Sequence, residues 1–500
     1  MKNLRETLED IRVNAKRVLV VGLGISGIES ARFLAHRGLK VVVVEKSSEE
    51  QFRTTSKFCA ELPALQTLGV EIAFGVDGER VAPHLTDIAL TVLSPGVPLE
   101  SAIVGTLRRH GIPYVAELEL GIELHHGKAL VITGSNGKST TSSLIDHVLR
   151  RGGVRSYLCG NIGVPVISNE ELLRELHVEG ATLVVEASSY QLEASAFLKP
   201  HVSVVLNISE NHLERHGSLE RYAASKERST RLQTAEDLFV LNADDPMVVA
   251  MGHRSRAAKA VFGTAGQLEL AKLSSRWAQI SCDNERARKI VVSRGGVLEE
   301  YSTDQVNLLG LHNRYNMAAA ILVARHMGVS QSDVQAGLES FLPLEHRLEV
   351  VYRAGERVVI NDSKSTTVAA SLAALSTIVE HYPSSRVVLM IGGLSKAGSW
   401  APLLNAITSS SAKSDISVVC FGKDGALLAN HCRAAGISHS VAPHLSEATS
   451  QALSMIGEAG IALLSPGCAS FDEFKDFEHR GAAFKDCVRE ALRGEDRVPL

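Results

Sequence analysis

Short apolar runs rich in valine and isoleucine recur along the chain. Each is followed by a turn, and then by a stretch whose apolar residues fall three or four apart. That alternation of buried strand and amphipathic helix predicts an α/β architecture with mostly parallel sheets. The first block reads strand "RVLVV", turn "GLGISG", helix "IESARFLAHRG", strand "KVVVVE", with further elements through "DIALTVLSPG" to "IPYV". It predicts a doubly wound, Rossmann-like domain over 1–116. A helix, "ELELGIELHH", opens the second block. Strand-like runs follow at "ALVIT", "TLVVEAS", "VSVVLNIS" and "DLFVLNADDP", and they predict a central domain with a mostly parallel sheet over 117–343, which the glycine-rich "TGSNGKST" after the first of them makes P-loop ATPase-like. Between about 263 and 307 the pieces turn shorter and more polar, as in "KIVVSRGGVLEEY", and predict a small antiparallel patch. The stretch "FLPLEHRLEVV" reads as a linker. After it come "RVVIND", "RVVLMIGG", "ISVVCFG" and "IALLSPG", which predict a C-terminal α/β domain over 344–500.

A length of 500 residues is too much for one core and agrees with several domains. The balance of 52 basic against 56 acidic residues gives a net charge of −4, so no general nucleic-acid grip is expected. Seven cysteines without a CxxC pair suggest neither a disulfide framework nor a zinc site, and a reducing cytoplasm suits them. No apolar run reaches the roughly 18 residues of a membrane span. Lys16 and Arg17 ahead of "VLVVGLGISGI" mimic a signal peptide, but these glycines are spaced for another purpose.

Two glycine patterns carry chemistry. Gly22, Gly24 and Gly27, with Glu45 closing the next strand, form a dinucleotide-type fingerprint in its proper strand–turn–helix setting. The second is "TGSNGKST". Gly134, Ser135, Asn136, Gly137, Lys138, Ser139 and Thr140 stand between a strand and a helix, as in a phosphate-binding loop, but the loop is two residues shorter than the usual pattern. Its backbone N–H groups and helix end suit an anion. Lys138 suits terminal phosphates, and the Ser139 hydroxyl suits Mg²⁺. Glu186 and His212 follow strands and can converge on this loop. A carboxylate suits Mg²⁺, while His212 reads equally well as an ordinary loop histidine. On pattern alone, Lys226 is a solvated helical lysine and Arg347 a surface charge beside His346. "NDSKST" and "SPGCASFDEFKDFEHRG" read equally as polar strand-to-helix turns.

Together these pieces say more than each alone. "TGSNGKST", "GNIG", "VVEASSYQLE", "ISENHLER", "LHNRYN", "EHRLE" and "NDSKST" occur in the order and spacing of the Mur ligases, which the chain resembles from Gly22 to about Gly481. These are ATP-dependent amide-forming enzymes of bacterial peptidoglycan synthesis, and the shortened loop is their hallmark. The resemblance implies that the first domain holds a UDP precursor rather than NAD, through Gly22, Gly24, Ile25, Ser26, Gly27 and Glu45, with Lys46 beside them. It implies ATP contacts from the phosphate loop, Asn313, Asn316, Arg347 and Asp362. Ser139, Glu186 and His212 would hold Mg²⁺, a carbamylated Lys226 would sit beside them, and Asn161 would touch the precursor. "NDSKST", "GGLSK" and "SPGCASFDEFKDFEHRG" imply D-glutamate as the amino acid, bound by Lys364, Thr366, Lys396, Ser470 and Phe477. The precursor implied is UDP-N-acetylmuramoyl-L-alanine, and the enzyme is expected to be a cytoplasmic monomer. The alternatives are a sister ligase adding another amino acid, a nicotinamide dehydrogenase resting on the first fingerprint, and a non-catalytic nucleotide switch.

Overall fold

A computed structural model describes residues 4–168, 181–280, 289–308, 310–395, 398–410 and 414–492. Its architecture is α/β, organised on three sheets. The first holds β1 (Arg17–Val21), β2 (Lys40–Glu45), β3 (Glu71–Phe74), β4 (Ile88–Leu93) and β5 (Tyr114–Ala116) in the order β3-β2-β1-β4-β5. All its pairings are parallel. The strand order reverses between β1 and β4, and a crevice opens at such a point. There the helix Ile25–His36 approaches the loop after β1 so closely that a Cβ on Gly27 would lie 1.9 Å from the Gly22 carbonyl oxygen, so only glycine fits.

The central sheet holds β6 (Lys128–Thr133), β7 (Ser156–Gly160), β8 (Thr182–Glu186), β9 (Val202–Val205), β10 (Leu238–Asn242), β11 (Ala258–Gly263), β12 (Arg276–Ile280), β13 (Lys289–Arg294) and β14 (Val297–Ser302). Their order is β14-β13-β12-β11-β10-β9-β6-β8-β7. Strands β6, β8 and β9 are buried along most of their length, as continuous apolar runs covered on both faces should be. The polar stretch after 263 does form an antiparallel patch, and that patch is joined to the central sheet. β12 pairs parallel with β11, and β13 and β14 then add antiparallel strands to the same sheet. The alternating burial of β14 marks a half-exposed edge.

The third sheet holds β15 (Glu349–Ala354), β16 (Arg357–Asn361), β17 (Val387–Gly392), β18 (Ile416–Phe421), β19 (His439–Ala442) and β20 (Gly460–Gly467), ordered β15-β16-β20-β17-β18-β19. The stretch read as a linker ends in a strand, because β15 turns back antiparallel onto β16. By contacts the chain divides into two compact units. One comprises 1–305 and 314–341, with the first two sheets; the other comprises 306–313 and 342–500, with the third.

Candidate active site

β6 lies between β8 and β9, so the loop that follows it is flanked by the ends of both. The loop is pinned on the β9 side. Asn207 accepts from the Ser135 N–H through its carbonyl (2.9 Å) and from the Asn136 N–H through Oδ1 (2.8 Å). The Ser209 N–H donates to Ser135 Oγ (2.8 Å), and Ser135 Oγ donates to the Ser209 carbonyl (3.0 Å). Gly137 caps the helix Lys138–Arg151 at φ +84°, and a Cβ there would meet Asn316 Oδ1 at 2.4 Å. That oxygen accepts from Thr141 Oγ1 (3.1 Å), which places Asn316 directly behind the loop. Ser139 and Thr140 are buried in the first helical turn. Lys138 folds over its own loop and donates from Nζ to the carbonyls of Gly134 and Ser135, each at 2.9 Å.

On the β8 side, Glu186 ends its strand at 1% exposure. Its Oε1 accepts from Asn161 Nδ2 (2.8 Å), while Oε2 is buried with no hydrogen-bond partner among the described residues. Lys226, on the helix Leu219–Glu227, is also 1% exposed. Its Nζ donates to the Gly134 carbonyl (2.9 Å) and Thr133 Oγ1 (3.3 Å). Burial, then the Lys138 charge, bring its pKa down to about 6, with Glu186 pulling the other way. Its amine is therefore mostly uncharged at neutral pH. Lys138, Asn161, Glu186 and Lys226 thus gather around the loop.

His212 stands at φ +53° as the N-cap of the short helix Leu213–His216. Its Nδ1 meets the Tyr190 hydroxyl at 3.0 Å and the Glu214 carboxylate at 3.5 Å. Among the described residues, no three His, Cys, Asp or Glu side chains cluster as a metal site by themselves.

The first-domain crevice is a cavity of about 560 Å³ lined by Gly22, Gly24, Ile25, Ser26, Glu45, Lys46 and the loop 94–98. Gly27 lies beneath it, behind the Gly22 turn. Glu45 Oε2 accepts from the Leu23 N–H (2.9 Å), and Oε1 accepts from the Ser47 N–H and Oγ (3.0 Å each). Arg215 ties this domain to the central one. It donates to the Val97 carbonyl (2.9 Å) and pairs with Glu193 (3.1 Å).

In the second unit, β16, β20 and β17 are adjacent and parallel, so the loops bearing "NDSKST", "SPGCAS" and "GGLSK" leave the same end of the sheet side by side. Asp362 is buried, and its carboxylate ties its own loop to β20 and to the turn before β15. It accepts from the Leu348 N–H (3.2 Å), Ser465 Oγ (2.8 Å) and Ser365 Oγ, while burial raises its pKa to about 6. Lys364 Nζ lies 4.9 Å from the Phe477 ring centre. Thr366 is half-buried, Ser470 is buried, and Arg347 is half-buried in the turn before β15. Asn313 is buried in the first turn of the helix Leu311–His326. Lys396 lies outside the described residues.

Pattern reading passed over Tyr190, Asn207 and His216. Tyr190 orients His212, and its ring stacks on buried His216, which is itself held by Ser189 Oγ (3.0 Å). The signal was available, since Tyr190 sits within "VVEASSYQLE".

A shortened phosphate loop backed by a buried lysine and glutamate, in a chain that also carries a Rossmann-like crevice and a third α/β sheet, defines a nucleotide-using multidomain ligase. Three family models match in the same order: Mur ligase MurD-like N-terminal domain over 16–116, Mur ligase middle domain over 132–324, and Mur ligase glutamate ligase domain over 346–468. The chain belongs to the Mur ligase family, whose members use ATP. Among its relatives, proteins named UDP-N-acetylmuramoylalanine--D-glutamate ligase align along nearly the whole chain. That of Koribacter versatilis is 35% identical over 97% of this chain and 100% of its own. That of Acidobacterium capsulatum is 34% identical over 96% and 97%, and that of Solibacter usitatus 35% over 96% and 98%. Solved structures agree in fold. The UDP-N-acetylmuramate-alanine ligase MurC of Thermotoga maritima has a TM-score of 0.54 at 18% identity, covering 95% of this chain and 100% of its own. The UDP-N-acetylmuramoylalanyl-D-glutamyl-2,6-diaminopimelate--D-alanyl-D-alanyl ligase of Acinetobacter baumannii has 0.57 at 14%, covering 97% and 98%. No described helix is long and apolar enough to cross a membrane.

Proposed function

We propose that this protein is an ATP-dependent ligase joining the amine of D-glutamate to the alanine carboxylate of UDP-N-acetylmuramoyl-L-alanine. The reaction belongs to cytoplasmic peptidoglycan precursor synthesis, and through it to cell-wall biogenesis, cell shape and division. The observation that carries this reading is end-to-end similarity, at 34–35% identity, to ligases of that one name. The enzyme acts as a monomer, without nucleic acid or membrane.

A carboxylate is a poor electrophile, so the reaction activates it first. A precursor carboxylate oxygen attacks the γ-phosphorus of ATP, and ADP departs. The amine nitrogen attacks the resulting acyl phosphate. The tetrahedral intermediate then expels phosphate, the nitrogen sheds its proton, and an amide remains. The protein's task is to neutralise phosphate charge and to align reactants. Lys138 exchanges its loop carbonyls for the nucleotide's phosphates. Asn161, already bonded to Glu186, faces the precursor.

Mg²⁺ fits the residues present. Glu186 Oε2 is a buried oxygen without a hydrogen-bond partner among the described residues, and with Ser139 supplying a hydroxyl and His212 an imidazole it would hold the ion. With few protein ligands, the ion would depend on substrate phosphates and water, as Mg²⁺ sites commonly do. Bound there, Mg²⁺ supplies charge neutralisation at the phosphates. The uncharged Lys226 amine is the form that adds to CO₂, giving N–COO⁻ and releasing a proton. Carbamylation puts an oxygen-bearing anion beside the metal site where an uncharged amine stood. On the amino-acid side stand Lys364, Thr366, Ser470, Phe477 and Lys396. Adenosine contacts come from Asn313, Asn316 and Asp362, and Arg347 reaches the γ-phosphate.

The deciding experiment is phosphate release with ATP and the UDP precursor across a panel of D- and L-amino acids. D-Glutamate alone should support turnover. Equal turnover with L-glutamate, or a preference for another amino acid, would assign the chain to a sister ligase.

A further inference from the structure

Arg480 is the largest of the fully buried side chains among the described residues, at 0% exposure. It lies in the first turn of the helix Phe477–Ala491. Its Nε donates to Ser363 Oγ (3.0 Å), Nη2 to the Ser363 carbonyl (2.8 Å) and Nη1 to the Cys468 carbonyl (3.1 Å). A Cβ on Gly393 would lie 3.3 Å from Nη1. One guanidinium therefore bonds to the loops after β16 and β20 and lies beside the loop after β17. Ser363 Oγ passes the link on by donating to the Phe477 carbonyl (2.8 Å).

No carboxylate pairs with this cation among the described residues; its bonded acceptors are a hydroxyl and two carbonyls. Burial lowers its pKa to about 10, so it is still charged at neutral pH. Buried charges are normally paired, because stripping water from an ion is costly. Here the Asp472 carboxylate acts on the cation only from a distance, without an ion pair, and the loops that converge on the cation are those read as binding an amino acid with two carboxylates.

We propose that Arg480 is a positioning residue for D-glutamate: it locks the three loops in register and supplies the positive charge that receives the substrate's carboxylates. This rests on the reading of those loops as the D-glutamate side. Two reactions separate the possibilities. Ligation with D-glutamate needs the amino-acid site. Hydroxamate formation from precursor, ATP and hydroxylamine needs only the activation half.

Arg480→Gln should raise the KM for D-glutamate at least about tenfold, the scale of a lost charge-assisted interaction. Hydroxamate formation should stay within about twofold. Arg480→Lys, which keeps the charge and loses the fork, should fall between wild type and Arg480→Gln. An unchanged D-glutamate KM in Arg480→Gln overturns the proposal. So does an equal loss of both reactions, or an Arg480→Lys no better than Arg480→Gln. If Arg480→Gln does not fold, Arg480→Lys decides by the same split: a raised KM for D-glutamate alone supports the role, and an unchanged or uniformly raised KM refutes it. If the wild type prefers a different amino acid, the function reading falls, and the same comparison made with that amino acid still decides the role of Arg480.

Discussion

Burying an ammonium without a counter-charge costs several kcal/mol, and Lys226 escapes much of that cost by losing its proton. The fraction of uncharged amine rises as pH climbs through about 6, so the form competent to add CO₂ dominates at neutral pH. Activity measured in CO₂-depleted buffer should therefore fall and should recover on adding bicarbonate. Activity indifferent to CO₂, with an unmodified mass at Lys226, would remove the carbamate. Lys138, by contrast, has its Nζ parked on its own loop carbonyls. Lys138→Ala should lower ligation by ~10²–10³-fold, the usual loss for one transition-state contact, with a normal melting curve. Near-normal phosphate release would reject the assignment. At this scale the sequence told little. Lys226 carries no mark in "YAASKERS" that separates it from a solvated lysine, because burial is decided by the sheet end it packs against.

Elements were more legible than residues. Strand–glycine–helix boundaries at Gly22 and Gly134 follow from local chemistry, and the structure holds them where the patterns place them. β15, β19 and the incorporation of β12–β14 into the central sheet were hidden, since partner choice between strands is a long-range matter that periodicity does not encode. The phosphate loop also depends on a distant element. Gly137 is left-handed, and its missing side chain makes room for Asn316 from the helix Leu311–His326. Gly137→Ala would meet both obstacles. The backbone term alone costs about 1–2 kcal/mol, so ADP titration should show clearly weaker binding. Unchanged ADP affinity would mean that the loop relaxes without harm.

Two buried carboxyls bear on the stability of the whole molecule. On the helix Glu117–Leu124, burial raises the pKa values of Glu117 and Glu119 from 4.5 to about 7. Glu117 Oε1 accepts from the Ile167 N–H (3.2 Å), and Glu119 accepts from Ala196 (2.8 Å) and Phe197. In the unfolded chain each ionises near 4.5; in the fold each keeps its proton until about 7. The folded state thus holds more protons between those values, and stability falls as pH rises across that window and then levels off. Glu117→Gln should flatten part of this slope. The variant gains up to roughly 3 kcal/mol at pH 8 relative to pH 4.5, from about 1.4 kcal/mol per pKa unit. Urea midpoints of variant and wild type at both pH values check it; parallel profiles would show that Glu117 ionises freely.

The second compact unit is not one stretch of chain. It takes 306–313, gives up the chain for 314–341, and resumes at Leu342. Gly310 belongs to the early piece, and a Cβ there would lie 2.7 Å from Thr377 Cγ2. A part threaded twice cannot be exchanged by a single crossover. Chimaeras that trade the second unit at one junction near Leu342 would inherit eight residues matched to the wrong host. Trading 306–313 together with 342–500 keeps that seam intact, so the second unit is transplanted as two segments or not at all.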